Sequence, residues 1–278
     1  MALPPYMTTT EKVSYYGLRI FVGAVLLFLI APILAIMPLS FNSETFFSYP
    51  MPGFSTRWYF GETGFFTNER WTSALKLSVI VAIAATILAT CLGTLAALGL
   101  SRSNIPGRAA IMAVLISPMI VPVIISAIGL FFFYAYTGLN GTLIGIILAH
   151  TALATPFVVI TVTATLMSFD RTLMRAGASL GGAPHTVFFK VVLPLILPGV
   201  ISGALFAFVT SFDEVIVILF IGGPEQRTLP RQMFSGIREL ISPTITAAAS
   251  VLIVFSTFLL VTVELLRRRG ERLRGIKS

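Results

Sequence analysis

Six long apolar runs constrain the fold of this chain more than any other feature. Each is close to the roughly 20 residues that a helix needs to cross a bilayer. Only 11% of the 278 residues are charged, against about 25% in a typical soluble domain. We therefore expect an all-α, polytopic membrane protein with six transmembrane helices, at about Leu18–Ser40, Ala74–Leu100, Ala109–Tyr134, Thr142–Leu166, Val200–Ile221 and Thr244–Leu266.

The basic residues predict how these spans are oriented. Six spans put both termini on one side of the membrane. That side, together with the loops at 101–108 and 167–199, holds thirteen of the Lys and Arg residues, and the other side holds six. The excess marks the cytoplasmic face. We expect both termini and the 167–199 loop to be cytoplasmic, and the charge of +8 to report topology rather than nucleic-acid binding.

The sequence favours a single domain over residues 1–278. No low-complexity linker or internal repeat divides it. Residues 18–72 give the first span and a periplasmic segment, whose Trp58 and Tyr59 we expect at headgroup depth. The core is 74–266, the loop 167–199 and the basic tail 267–278. Cys91 is the only cysteine, so a disulfide or a cysteine-based metal site within the chain is excluded.

The 167–199 loop has the pattern of two short helices. Asp170 is a suitable N-cap for a helix from Arg171 to Leu180. Gly181 and Gly182 are expected to end it, with Gly181 as a hinge that must pack closely. Ala183 and Pro184 start a second helix. This helix is predicted to carry an apolar stripe at Phe188, Phe189, Val192 and Leu193. We expect the chain to be bent back into the membrane at Pro194 and Pro198. A hairpin that only lies on the lipid is the alternative.

The loop has a further pattern, which runs from Arg175-Ala176-Gly177 through Leu180-Gly181, Phe188 and Val192-Leu193-Pro194 to Pro198-Gly199. At these positions it resembles the "EAA" loop of binding-protein-dependent ABC importer permeases, which docks on the ATPase. Arg175 stands where the family has glutamate, so docking by shape and apolar packing is expected instead of the usual salt bridge. The resemblance assigns ATPase coupling to Arg175, Ala176, Gly177, Leu180, Gly181, Gly182, Ala183, Pro184 and Phe188.

No G-x-x-x-x-G-K-[ST] phosphate loop occurs in the chain. We therefore expect no enzyme activity and no cofactor in this chain, with ATP and magnesium bound by a separate ATPase subunit.

Asp213 and Glu214 lie within the fifth apolar run. A charge at the bilayer centre costs about 2.5–3.5 kcal/mol on insertion scales, so such residues usually face a cavity or a partner. They are candidates for attracting a cationic solute, with Phe212 and Tyr134 as cation–π surfaces. The alternative is that the acidic pair serves packing or coupling. His150 is expected to be a hydrogen-bonded packing residue. Pro118, Pro122 and Pro156 are expected to interrupt spans three and four.

The resemblance extends over nearly the whole chain. Phe212-Asp213-Glu214-Val215, Gly222-Gly223-Pro224, Leu229-Pro230, Ser242-Pro243 and Trp58-Tyr59 are similar to the spermidine/putrescine permease subfamily, in particular its second permease subunit. It implies a bacterial inner-membrane complex with a different permease, two ATPase copies and a periplasmic binding protein, working by alternating access.

The solute stays open at this point. A polyamine or another organic cation fits the resemblance best, while an opine, an amino-acid-like amine, a phosphonate or ferric iron are alternatives. Two readings come from other classes of protein. One is an ion-coupled secondary transporter that uses Asp213, Glu214 and His150 as a relay, and the other is a membrane scaffold without transport.

Overall fold

The architecture is all-helical in the part of the chain that a computed structural model describes, residues 8–101, 105–167, 169–170, 172–239 and 242–273. In chain order the helices are α1 (Thr9–Leu39), α2 (Arg57–Phe60), α3 (Glu69–Leu100), α4 (Arg108–Ile120), α5 (Val123–Thr137), α6 (Leu143–Met167), α7 (Thr172–Ser179), α8 (Pro184–Val187), α9 (Leu193–Asp213), α10 (Ile216–Ile221), α11 (Leu229–Glu239) and α12 (Pro243–Leu273), with a π-helical turn at Phe188–Val192 between α8 and α9.

Within these described residues, five helices are long and apolar enough to cross a membrane, or six if α4 and α5 form one span. Those two are bent by 103° at Val121–Pro122. Proline pushes the preceding residue out of the helical region, and Val121 is indeed extended. The interruption expected at Pro122 is therefore present. Pro118 and Pro156 lie inside the continuous helices α4 and α6, so the interruptions expected at these two prolines were wrong.

The chain divides into two compact units. The first comprises Met1–Asn68 with Leu240–Phe258. Its centre is formed by Trp58 and Tyr59, which are only 6% and 8% exposed and pack against Ala247. The Trp58 indole donates to the Asn42 carbonyl at 2.7 Å, and the Tyr59 and Ser40 hydroxyls are 2.6 Å apart. Both rings therefore serve as core of this unit, and the headgroup depth expected for them stays a prediction.

The second unit comprises Glu69–Glu239 with Leu259–Ser278. Helices α3, α6 and α9 pack together at its centre, and small residues let their backbones approach closely. A Cβ placed on Gly93 would lie 2.6 Å from the Cβ of Val158, and a Cβ placed on Gly203 would lie 2.9 Å from the Cα of Val158. The functional candidates of the sequence are all in this unit. The expected single-domain organisation stays a prediction.

Candidate functional site: the coupling loop and the α9–α10 break

The first short helix of the loop, α7, spans Thr172–Ser179. Asp170 caps it, since one carboxylate oxygen accepts from the Thr172 backbone N–H at 2.8 Å. That hydrogen bond holds the pKa of the exposed Asp170 carboxyl below its usual value of 3.8. The predicted start at Arg171 lies outside the described residues. With Asp170 as its cap, α7 starts at Thr172, one residue after the predicted start.

Two adjacent glycines end α7 for different reasons. Gly181 has φ +80°, a left-handed conformation that favours glycine, and a Cβ there would meet open space. A Cβ on Gly182 would lie 2.7 Å from the Gly177 carbonyl oxygen and 3.0 Å from a Val187 methyl. The Gly182 N–H donates to that same carbonyl at 3.1 Å. The tight contact inside the turn is therefore at Gly182, and the close packing of the Gly181 hinge during docking stays a prediction.

The second half of the loop leads directly into a membrane span. Ala183 is extended and Pro184 opens α8, as expected. The helical path then continues from Pro184 to Asp213, so Pro194 and Pro198 do not interrupt it, and the bend expected at them stays a prediction. Proline lacks an N–H and clashes with the carbonyl four residues before it. The π-helical turn widens the helix just ahead of Pro194, with the Leu193 N–H donating to the carbonyl of Phe188.

The exposed side of the loop is partly apolar. Leu180 is 89% exposed, and Arg175, Ala176 and Ala183 are also exposed. Phe188 is half-buried, whereas Phe189 is 62% exposed and leaves the expected stripe. An open cavity of about 520 Å³ lies against the loop, lined by Leu98, Ser101, Leu166, Phe169, Met174, Arg175, Ala178, Gly182, Pro184, Val187, Phe188 and Val192. Four of the predicted coupling residues, Arg175, Gly182, Pro184 and Phe188, thus line the same cavity.

The acidic pair lies at a break in the helical path. Helix α9 ends at Asp213, Glu214 is extended (φ −71°, ψ 122°), and α10 begins at Ile216. The fifth span expected at Val200–Ile221 ends where α10 ends, but its expected start and its continuity were wrong. It begins earlier in the sequence and is interrupted beside the two carboxylates.

The two carboxylates have different environments. One oxygen of Glu214 accepts from the Val217 N–H at 2.9 Å, which caps the start of α10. Asp213 is exposed, and within the described ranges its carboxylate has no hydrogen bond or ion pair. The Glu214 carboxylate is thus occupied by a backbone hydrogen bond, while the Asp213 carboxylate is unpaired among the described residues.

His150 joins α6 to the end of α9. Its ring is 1% exposed, and Nδ1 lies 3.0 Å from the Ser211 carbonyl oxygen and 2.9 Å from the Ser211 hydroxyl. This is the hydrogen-bonded packing role expected of it. The sequence did not indicate Ser211 as its partner, because the two residues are 61 positions apart.

The structure buries the two aromatic candidates. Phe212 is 8% exposed and stacks on Phe208 with ring centroids 5.5 Å apart. Tyr134 is 4% exposed and belongs to an apolar cluster with Val81 and Ile146. Neither ring presents a face to a solute in this conformation. Among the described residues there is no group of three or more His, Cys, Asp or Glu side chains that could hold a metal ion.

Known proteins resemble this chain over most of its length. Residues 89–272 match the family described as "Binding-protein-dependent transport system inner membrane component". The spermidine/putrescine permease protein PotC of Haemophilus influenzae is 32% identical, covering 90% of this chain and 96% of that protein. The putrescine permease protein PotI of Escherichia coli is 33% identical over 81% and 82%. The molybdenum permease protein ModB of Mycobacterium bovis is 31% identical over 70% and 79%.

Solved structures show the same fold. A bacterial ABC transporter that imports alginate superposes with a TM-score of 0.74 at 14% identity, over 95% of this chain and 99% of that one. The methionine ABC transporter MetNI gives a TM-score of 0.54 at 20% identity, over 76% and 100%.

The chain therefore belongs to the family of inner-membrane components of binding-protein-dependent transport systems and is a permease subunit of an ABC importer. It is a multi-pass inner-membrane protein that works with an ATPase, a binding protein and permease partners, and it is not itself an enzyme. The hypotheses of an ion-coupled secondary transporter and of a membrane scaffold were wrong, and the ABC importer hypothesis is confirmed.

Proposed function

We propose that this permease passes a polyamine or a closely related organic cation through the membrane, with Asp213 facing the pathway. The similarity to PotC and PotI supports this solute class. Sequence identity alone does not assign the solute, because ModB, a permease protein of a molybdenum transport system, is also 31% identical to this chain. The observation that carries the proposal is the exposed, unpaired carboxylate of Asp213 at a break in a membrane helix.

The carboxylate is suited to a cation for two reasons. A charge within a membrane span normally faces a water-filled cavity or a partner. The carboxyl end of α9 also carries the negative end of the helix dipole, which favours a cation next to Asp213. Glu214 contributes indirectly by holding the first turn of α10. The substrate role thus rests on one of the two acidic residues.

The 167–199 loop is proposed to dock on the ATPase. A leucine that is 89% exposed beside a short helix, as Leu180 is, is the type of anchor that a groove on another protein buries. Arg175 borders the cavity next to the loop, where it replaces the family's acidic contact. Ala176, Gly177, Gly181, Gly182, Ala183, Pro184 and Phe188 give this docking element its compact shape.

The working complex is proposed to contain this chain, a second and different permease, two ATPase copies and a periplasmic binding protein. Both termini and the loop would be cytoplasmic, as the distribution of basic residues indicates. ATP would close the ATPase dimer and draw the docked loops together, and the permease halves would then open outward. This chain itself would hold no cofactor.

The substrate is tested by uptake into vesicles that contain the complete complex. Putrescine and spermidine are compared with octopine, an alkylphosphonate and ferric citrate, each with the cognate binding protein present. We expect ATP-dependent accumulation of the two polyamines. Accumulation of the phosphonate or iron in place of both polyamines would overturn the assignment, while leaving the importer class intact.

The docking role is tested with Leu180→Ala in the complete complex. Loss of a buried anchor is expected to lower uptake and binding-protein-stimulated ATP hydrolysis together, by about tenfold. Leu148→Ala makes the same truncation at a 43% exposed position on α6 and should leave both rates unchanged. Equal rates for the Leu180 variant and the wild type would contradict docking through this leucine.

A further inference from the structure

The break after α9 leaves a backbone carbonyl that an unbroken helix would satisfy. In a continuous α-helix the Val215 N–H would donate to the Ser211 carbonyl. Helix α9 instead ends at Asp213, and Glu214 is extended. An unpaired carbonyl inside a membrane is costly, so a break at this position needs a replacement donor.

His150 supplies that donor from another helix. Its Nδ1 is 3.0 Å from the Ser211 carbonyl oxygen. A carbonyl only accepts, so donation to it places the proton on Nδ1; the Ser211 hydroxyl, 2.9 Å from the same nitrogen, can act as donor or acceptor. Among the described residues Nε2 has no hydrogen-bond partner. The contact to α9 is therefore the one polar interaction that holds the buried ring in place.

The other side of the break is fixed as well. The Glu214 carboxylate accepts from the Val217 N–H at 2.9 Å and caps α10. At the far end of α10, the Gly141 N–H donates to the Ile221 carbonyl at 2.9 Å, which fastens this short helix to the turn between α5 and α6. Asp213 thus lies between two helix ends that are each held by a specific hydrogen bond.

We propose that His150 is the positioning residue for Asp213. By donating to the Ser211 carbonyl, it keeps the last turn of α9 against α6 and fixes where the Asp213 carboxylate leaves the helix. It acts through Asp213 and does not contact the solute. The functional consequence rests on the proposed role of Asp213 in cation passage, whereas the structural consequence at the α9 end does not.

The test compares three substitutions at position 150 in the complete complex. The amide nitrogen of Asn is the same number of bonds from Cα as Nδ1, so His150→Asn keeps the donor in place. His150→Gln carries its amide one bond farther, and His150→Leu has no donor. Hydrogen exchange of the last turn of α9 is measured by mass spectrometry, and putrescine uptake is measured in parallel.

We expect exchange in the last turn of α9 to rise about tenfold in His150→Leu and His150→Gln and to stay at the wild-type rate in His150→Asn. Maximal uptake should follow the same order. Ser211→Ala is the matched control, because it removes the hydroxyl and keeps the carbonyl, and it should change neither measurement. Equal exchange in the Leu, Asn and wild-type proteins would overturn the proposal.

A double-mutant cycle separates this inference from the proposed function. If His150 acts through Asp213, His150→Leu should cost no further uptake once Asp213→Asn is present. Additive losses of uptake would overturn the positioning role. A different outcome is faster exchange in His150→Leu with unchanged uptake in both His150→Leu and Asp213→Asn. It would support the hydrogen bond from His150 to α9 and refute the cation role of Asp213.

Discussion

The turn between α7 and α8 and the break between α9 and α10 both interrupt a helical path, and they do so by different means. The turn is made by neighbours in sequence: Gly181 adopts a positive φ and the Gly182 N–H reaches back to Gly177. The break has no glycine and no proline. It is stabilised by His150, which is 61 positions away from its partner Ser211 in the chain. One interruption is encoded locally and the other by tertiary packing.

This difference agrees with the roles proposed for the two regions, ATPase docking for the turn and solute passage for the break. A turn held by its own backbone keeps its shape while the loop docks on and moves with another subunit. A break held by a neighbouring helix changes when that helix moves, so the environment of Asp213 is tied to the packing of α6 against α9. The comparison gives four predictions, in order of decreasing expected effect.

Gly182→Val should cause the largest loss. Its Cβ would collide with the Gly177 carbonyl at 2.7 Å, and backbone cannot move aside without reshaping the turn. We expect uptake to fall about a hundredfold. Gly99→Val, whose Cβ meets open space on α3, is the control. Normal uptake by the Gly182 variant would show that the shape of the turn does not matter for coupling.

Gly181→Val should have a smaller effect, because its cost is backbone strain and not a collision. Valine disfavours a φ of +80°, and we expect uptake to fall about tenfold. Gly181→Asn should restore most of the activity, since asparagine tolerates this conformation. Equal losses for Val and Asn would mean that the side chain blocks the docking surface, and that φ is not the cause.

Glu214→Ala should weaken uptake by about fivefold, through loss of the cap on α10. Glu214→Gln keeps a carbonyl oxygen that can accept from the Val217 N–H and should stay close to the wild type. A strong defect in the Gln variant, measured as initial putrescine uptake, would instead give the Glu214 charge a direct role in the pathway.

Asp170→Ala should have the smallest effect, about twofold on the exchange of the first α7 amides. Asp170→Asn keeps a capping oxygen and should match the wild type. The pKa of the Asp170 carboxyl is lowered in the folded chain. The cap therefore stabilises α7 fully above the usual value of 3.8 and is lost as the pH falls through the lower, folded value. Protection in the wild type that is lost already at neutral pH would contradict the cap.

The same contrast explains what the sequence could predict. Asp170 and the glycine pair act on their own neighbours, so the helix and the turn were predicted correctly within a residue or two. Apolar length identified the spans. The break beside Asp213 was missed because its determinants, His150 and Ser211, meet only after α6 packs on α9.

Residue type alone did not predict three details of the loop and the first unit. A π-helical turn directly precedes Pro194 inside a continuous helical path. Trp58 and Tyr59 are core of the first unit, where their polar atoms find partners. The tight contact within the turn is at Gly182, since residue type alone does not tell a glycine needed for φ from one needed for space.

Whether Asp213 faces the path of a cationic solute is decided by the maximal rate of putrescine uptake in the complex carrying Asp213→Asn. Asn is close in shape to Asp and removes the charge. We expect this rate to fall about tenfold, while assembly and binding-protein-stimulated ATP hydrolysis persist. An unchanged uptake rate in a fully assembled Asp213→Asn complex would contradict this role of Asp213.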